Sequence, residues 1–249
     1  MVTNFLKNIF SKEDIASGLQ SEVNKQVIEK EFWEIYAICK DYTMTSPERM
    51  YSLYKAVKYV ADAKIPGDFV ECGVWKGGSA MVIACTLKTL GINDRRIYLY
   101  DTFEGMSEPT EYDKKNSQGP GESARKYWEK AQKGDINEWC YSSFEEVADN
   151  IKHTGYPVDQ FSLIKGKVED TIPGVMPEFI ALLRLDTDWY ESTKHELIYL
   201  YPVLQTKGVL IIDDYGSWAG AKKAVDEYFN TIPILLNRVD STGRIGIKI

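Results

Sequence analysis

From residue 68 onward the chain alternates short apolar runs with helical stretches, and this alternation limits its possible folds more than any other feature. Runs at 68–73 (DFVECG), 96–101 (RIYLYD), 160–165, 180–186 (IALLRLD) and 208–213 (GVLIID) read as strands. Helical patterns occupy 79–90, 191–203 and 217–230, and two short strands at 233–236 and 244–249 close the chain. Near-continuous apolar strands are covered on both faces, and interleaved helices supply that cover. The expectation is an α/β fold with a Rossmann-like, mostly parallel seven-stranded sheet and helices on both sides.

Two regions stand outside the alternation. Residues 1–66 read as an N-terminal helical segment, preceding an α/β domain at 67–249. Within it, 22–62 is helical except for a break at 41–47, where Ser46-Pro47-Glu48 looks like an N-cap followed by proline at N1. Met50, Leu53, Tyr54, Val57 and Val60 then share one helical face. The opening residues are broken by Lys7 and Lys12, which suits a short amphipathic helix rather than a signal peptide or membrane span. The second region, 102–150, is a polar insertion after a strand's carboxyl end, where lids and substrate loops sit. Its aromatics Tyr127, Trp128, Trp139 and Tyr141 could stack on a ligand or form a small core of their own.

Composition narrows the function. A net charge of -7 argues against a nucleic-acid partner. The cysteines, Cys39, Cys72, Cys85 and Cys140, form no C-x-x-C pair and fit reduced thiols in a cytoplasm.

Ligands of open α/β sheets bind outside the carboxyl ends of the strands, so the strand ends carry the functional argument. The first ends in Glu71-Cys72-Gly73-Val74-Trp75-Lys76-Gly77-Gly78-Ser79. This is neither G-x-G-x-x-G nor a P-loop. Its glycines allow close backbone approach to a ligand, and the acid before them suits a positive group such as a methionine ammonium. The second ends in Asp101, which could accept two hydrogen bonds from a ribose diol. The fourth ends in Asp186-Thr187-Asp188 and the fifth in Asp213-Asp214. On neighbouring strands these carboxylates would converge, and their repulsion points to a hard divalent cation, Mg²⁺ first. The competing reading makes them helix caps. His153 and His195 end no strand, and without a G-x-S-x-G elbow a serine hydrolase is disfavoured.

Taken together, DYTMTSPERMYSLYKAV, PGDFVECGVWKGGSA, YDTFEGM, KGKVEDTIP, LRLDTDWYESTKHELIYLYP and GVLIIDDYGSWAGAKKAVDEYF resemble the macrocin O-methyltransferase (TylF-type) family. The resemblance runs from about Tyr42 to the C-terminus and is absent from residues 1–30. It implies a class I methyltransferase fold, S-adenosylmethionine as co-substrate, Mg²⁺, and a sugar-containing small-molecule acceptor. Carried over by residue, Glu71 and Gly73 would line the methionine part, and Thr45 and Ser79 would hold its carboxylate end. Asp101, with Phe103 nearby, would bind the ribose, while Gly166 and Val168 would contact adenine. Asp186, Asp213 and Asp214 match the metal ligands, with Asp186 also beside the cofactor, and Asp188 matches the general base. This chain has Thr187 where members carry glycine. A homodimer through the N-terminal helices is expected.

The residue types suit the reaction. A diol held by Mg²⁺ has one hydroxyl acidified and both oriented, and Asp188 within hydrogen-bond reach could take the proton. Three alternatives stay open. A nucleotide-binding oxidoreductase is disfavoured by the missing G-x-G-x-x-G, and a non-catalytic cofactor-binding protein by the intact acidic set. A catechol-type metal-dependent O-methyltransferase would use the same acids on a phenolic diol.

Overall fold

The computed structural model describes residues 28–116 and 124–249. The expected helix at the start of the chain, the first part of the 22–62 helix and the centre of the insertion lie outside those residues. The chain enters through α1 (Lys30–Cys39), a short 3₁₀ turn (Lys40–Tyr42) and α2 (Pro47–Asp62). The break and restart follow the expected chemistry: Ser46 Oγ accepts from the Arg49 backbone N–H at 3.2 Å, with Pro47 in the first turn. The inward face of α2 is the expected one, Met50, Leu53, Tyr54, Val57 and Val60, all buried.

The sheet contains β1 (Asp68–Cys72), β2 (Ile97–Asp101), β5 (Phe161–Lys165), β6 (Ile180–Leu185), β7 (Leu204–Ile212), β8 (Asn237–Arg238) and β9 (Arg244–Ile247). Its order is β5-β2-β1-β6-β7-β9-β8. All pairings among β5, β2, β1, β6 and β7 are parallel, and β9 runs antiparallel between β7 and β8. The seven-stranded, mostly parallel expectation is therefore met. One face is covered by α1, α2 and α3 (Gly78–Thr89), the other by α6 (Val168–Thr171), α7 (Tyr190–Val203) and α8 (Ala219–Tyr228). α3 is buried through its first ten residues because α1 and α2 pack over the side turned away from the sheet.

Two strands depart furthest from the sequence reading. β7 starts at Leu204 rather than 208, because Leu204 already pairs with Ile180 ahead of a register irregularity between Ile180 and Leu182. The expected strand at 233–236 does not form; pairing begins only after it, at Asn237–Arg238. Pro233, which lacks an N–H, stands at its start.

The insertion after β2 holds α4 (Ala124–Ala131), a two-residue hairpin β3 (Gln132–Lys133) and β4 (Ile136–Asn137), and α5 (Phe144–Asn150). It is tied to the body by Asp113, buried in the insertion, which accepts from the Tyr190 N–H at 2.8 Å at the head of α7. Its aromatics divide. Trp139 packs with Trp189 and Trp218, Trp128 donates its indole N–H to the Met106 carbonyl at 2.8 Å, and Tyr127 is exposed. Among the described residues no helix is long and apolar enough to cross a membrane.

Candidate active site

The sheet order reverses between β1 and β6, and a crevice opens at the carboxyl ends of the strands there. It is lined by ten of the expected residues: Thr45, Gly73, Ser79, Asp101, Gly166, Val168, Asp186, Asp188, Asp213 and Asp214. Parallel register explains the convergence, since Cys72, Leu185 and Ile212 stand side by side and the next residue on each strand enters the crevice. Gly73 is needed where β1 leaves the sheet. Its φ is +82°, and a Cβ there would lie 2.1 Å from the Asp186 carbonyl oxygen. At the head of α3, a Cβ on Gly78 would lie 2.6 Å from the Tyr42 carbonyl, so glycine lets the strap at 42–45 close over the crevice.

Two expected residues are placed differently. Phe103 is buried in the core, with φ +53°, its ring edge-on to Phe144 at 5.2 Å and off the crevice wall. Its backbone N–H donates to Asp101 Oδ1 at 2.8 Å, and its ring packs into the core. Glu71 lies one layer behind the wall and is 1 % exposed.

Asp101 anchors the first turn. Its Oδ2 accepts from the N–H groups of Val74 (2.7 Å) and Trp75 (3.1 Å), while Oδ1 accepts from Phe103 and from the Thr102 hydroxyl at 3.4 Å. Burial raises its pKa, against the pull of those donors. A carboxylate has about four acceptor positions, so a ribose would share Asp101 with the loop.

The sequence reading missed Arg184. It faces Glu71 directly in the β1–β6 register, and both point toward α2. Arg184 Nη1 donates to Glu71 Oε1 at 2.6 Å and to Asp186 Oδ2 at 2.8 Å, and Nη2 lies 3.1 Å from Asp213 Oδ2. Arg49, from α2, also pairs with Asp213 and reaches Asp240 Oδ2 at 3.0 Å. Asp240 in turn accepts from the Ser46 hydroxyl and from the N–H groups of Thr242 and Gly243. Burial would raise the Asp240 pKa, but those donors and Arg49 hold it at about 2. The available signal was a charge inside an otherwise apolar strand, in ALLRLD and again in DFVEC.

The remaining acids are short of positive partners. Asp186 and Asp188 both lie against Asp214, and Trp218 lies beside Asp188. Burial, with the neighbouring carboxylates, pushes Asp188 up to about 7 and raises Asp186 and Asp214 well above the carboxylate range. Asp188 adopts φ +65°, held by the Trp189 N–H bonding the Thr187 carbonyl at 2.7 Å. Behind it, Thr187 donates to Glu196 Oε1 at 2.9 Å on α7.

Among the described residues no three acid, histidine or cysteine side chains are already spaced around a common metal position. The donor chemistry nevertheless suits a hard cation. Every side chain of the expected set offers oxygen, and Asp213 Oδ1 and Asp214 Oδ2 are buried without a partner among the described residues. Carboxylates bonded to one another must share protons unless a cation replaces them.

A parallel sheet with one antiparallel strand next to its last edge, a glycine turn after β1 and acids at the β2, β6 and β7 ends define a class I methyltransferase. The macrocin-O-methyltransferase (TylF) family model matches residues 33–245, and the chain belongs to that family of O-methyltransferases. It is 33% identical over 204 residues to the 8-demethyl-8-(2,3-dimethoxy-alpha-L-rhamnosyl)-tetracenomycin-C 4'-O-methyltransferase of Streptomyces olivaceus, covering 81% of this chain and 74% of the relative. It is 32% identical over 187 residues to the demethyldecarbamoylnovobiocin O-methyltransferase of Streptomyces niveus, covering 75% and 67%. Among solved structures, the O-methyltransferase NovP superposes with a TM-score of 0.72 at 29% identity, covering 83% of this chain and 82% of that one.

Proposed function

We propose that this O-methyltransferase moves the methyl group of S-adenosylmethionine to a sugar hydroxyl of a glycosylated natural product, assisted by Mg²⁺. The carrying observation is the cluster of Asp186, Asp188 and Asp214, which shares one crevice with the glycine turn and holds more acid than its internal donors compensate. The cofactor reading rests on that turn and on the family. The sugar reading draws on the tetracenomycin relative, which is named for a rhamnosyl acceptor.

Each group then has a task. Gly73 and the head of α3 admit the methionine part, while Gly166 and Val168 border the adenine. Asp186, Asp213 and Asp214 would hold the cation, whose charge makes a neighbouring hydroxyl more acidic. Asp188, with Trp218 beside it, takes the proton of the attacking hydroxyl. Trp139, Trp218 and Met106 wall the acceptor side, and Trp189, anchored through its indole N–H to the Ser107 carbonyl at 2.9 Å, backs that wall. The insertion at 102–150 acts as a lid over the acceptor.

The test is methyl transfer from labelled S-adenosylmethionine to a panel of rhamnosylated natural products with Mg²⁺ present. Turnover is expected, and chelation should abolish it. Asp188→Asn should lower kcat by about 10²- to 10⁴-fold while S-adenosylhomocysteine still binds. Full activity in excess EDTA would remove the metal from the reading.

A further inference from the structure

The two helices that follow the acid-bearing strands β6 and β7 begin in the same way. α7 starts at Tyr190 behind Trp189, and α8 starts at Ala219 behind Trp218. Each tryptophan occupies the cap position, and neither helix has a side-chain cap from that residue. A helix start leaves backbone N–H groups in need of acceptors, and an indole can only donate.

The insertion after β2 supplies the missing acceptors. Asp113, 2% exposed, accepts the Tyr190 N–H through Oδ1 at 2.8 Å. A carboxylate there also suits the positive end of the helix dipole. The next residue, Lys114, gives its carbonyl to the Ala219 N–H at 2.7 Å. Two adjacent residues thus close the starts of both helices. Asp113 Oδ2 accepts the N–H and the hydroxyl of Thr110, at 2.7 and 2.8 Å, so the carboxylate is fixed within its own loop. The chain then runs beside Trp218: Lys115 pairs with it as an antiparallel bridge, and the Asn116 N–H bonds the Ser217 carbonyl at 2.9 Å. The fit is close, since a Cβ on Gly220 would lie 1.9 Å from Asp113 Oδ1.

A serine or aspartate in a cap position turns its side chain back onto its own helix. Capping from the insertion leaves both positions to tryptophans, whose rings meet edge-to-face at 4.9 Å. The same turns carry two of the acids. Asp188 directly precedes Trp189, and the Asp214 carbonyl accepts the Trp218 N–H at 3.0 Å. Asp113 itself lies off the crevice wall. We infer that Asp113 is a positioning residue for the acceptor: by capping α7 from the insertion, it sets the Trp189–Trp218 wall and the turns that carry Asp188 and Asp214. The inference rests on the acceptor reading above.

The experiment measures methyl transfer to the best acceptor of the rhamnosylated panel, with S-adenosylhomocysteine titrated alongside by calorimetry. Asp113→Ala should lower kcat/KM for the acceptor by about 10- to 100-fold, the cost of a misplaced wall and base. The affinity for S-adenosylhomocysteine should stay within about twofold. Asp113→Asn keeps an acceptor for the Tyr190 N–H but not for the Thr110 N–H, and should recover part of the loss. Gly220→Ala crowds the same contact from the other side while favouring the helix, and should show the selective loss in smaller measure. It carries the test if Asp113→Ala does not fold. A general defect would weaken acceptor turnover and S-adenosylhomocysteine binding alike; that result, or unaltered acceptor kinetics, overturns the inference. If the wild type methylates no acceptor of the panel, the sugar reading falls and near-ultraviolet circular dichroism decides the inference. Asp113→Ala should then lose much of the signal of the packed indoles, and an unchanged signal overturns it.

Discussion

On the methionine side of the crevice every acid has internal partners. Asp101 receives three backbone N–H groups and a hydroxyl, and Glu71 is paired with Arg184. On the opposite side, Asp186, Asp188 and Asp214 crowd against one another, and Arg184, which among the described residues is the one guanidinium to touch them, is shared with Glu71 and Asp213. The two sides use the same residue types at the same sheet edge. They differ in whether the protein supplies the counter-charge. The first side satisfies Asp101 with its own donors and pairs one oxygen of Glu71, whose buried Oε2 has no partner among the described residues and whose pKa burial pushes up to about 7. The second is shaped to take positive charge from outside. Substituting one acid on each side should therefore have opposite effects on stability.

The largest effect is expected at Asp101. Asp101→Asn keeps one acceptor oxygen and turns an amide NH₂ toward backbone N–H groups that also donate. Leaving buried donors unsatisfied costs about 1–3 kcal/mol each, so a loss of about 3 kcal/mol is expected. Chemical denaturation measures it. A variant as stable as the wild type would show that the turn after β1 holds its shape without the carboxylate.

A second effect concerns Glu196, which lies behind the acid cluster and bonds Thr187. It is fully buried, and Oε2 has no partner among the described residues. Burial raises its pKa well above the ordinary glutamate value. The folded state thus holds the proton more tightly than the unfolded chain does. The stability this gives is complete below the unfolded pKa and is lost as pH rises toward the folded one. Glu196→Gln keeps an acceptor for Thr187 and does not titrate. Its stability should gain on the wild type by at most about 1.4 kcal/mol per pH unit above that point. Parallel pH profiles of the two melting midpoints would refute this.

These residues also mark what the sequence could and could not reveal. Apolar runs located the five parallel strands, and the acids and glycines ending them located the crevice, because both signals are local. Ser46 and Pro47 announced the start of α2 for the same reason. Arg184 was not legible as a partner of Glu71, because their meeting depends on the β1–β6 register, which no local pattern encodes. Arg49 and Asp240 come from segments 191 residues apart and meet only once the C-terminal hairpin folds back. Phe103 reads as a cofactor neighbour in YDTFEG, yet its backbone is spoken for by Asp101 and its ring enters the core. The early start of β7 escaped because the apolar pattern begins only after Gln205, Thr206 and Lys207.

The smallest effect carries the comparison furthest. Asp214 lies against Asp186 and Asp188, and burial followed by Asp188 and Asp213 raises its pKa well above the carboxylate range. In Asp214→Asn an amide replaces the carboxyl and can donate to a neighbouring carboxylate without a shared proton. With chelator present, the variant should be more stable than the wild type by about 1 kcal/mol, the size of one ordinary hydrogen bond. Millimolar Mg²⁺ should then raise the wild-type melting midpoint, since a ligand that binds only the folded state stabilises it by mass action. The variant, missing one of the acids that would hold the ion, should show little such shift. A less stable variant in chelator would mean that the acid cluster is compensated from within after all. A wild-type midpoint indifferent to Mg²⁺ would mean that the missing positive charge comes from another source, the sulfonium of the cofactor being the nearest one the proposed reaction supplies.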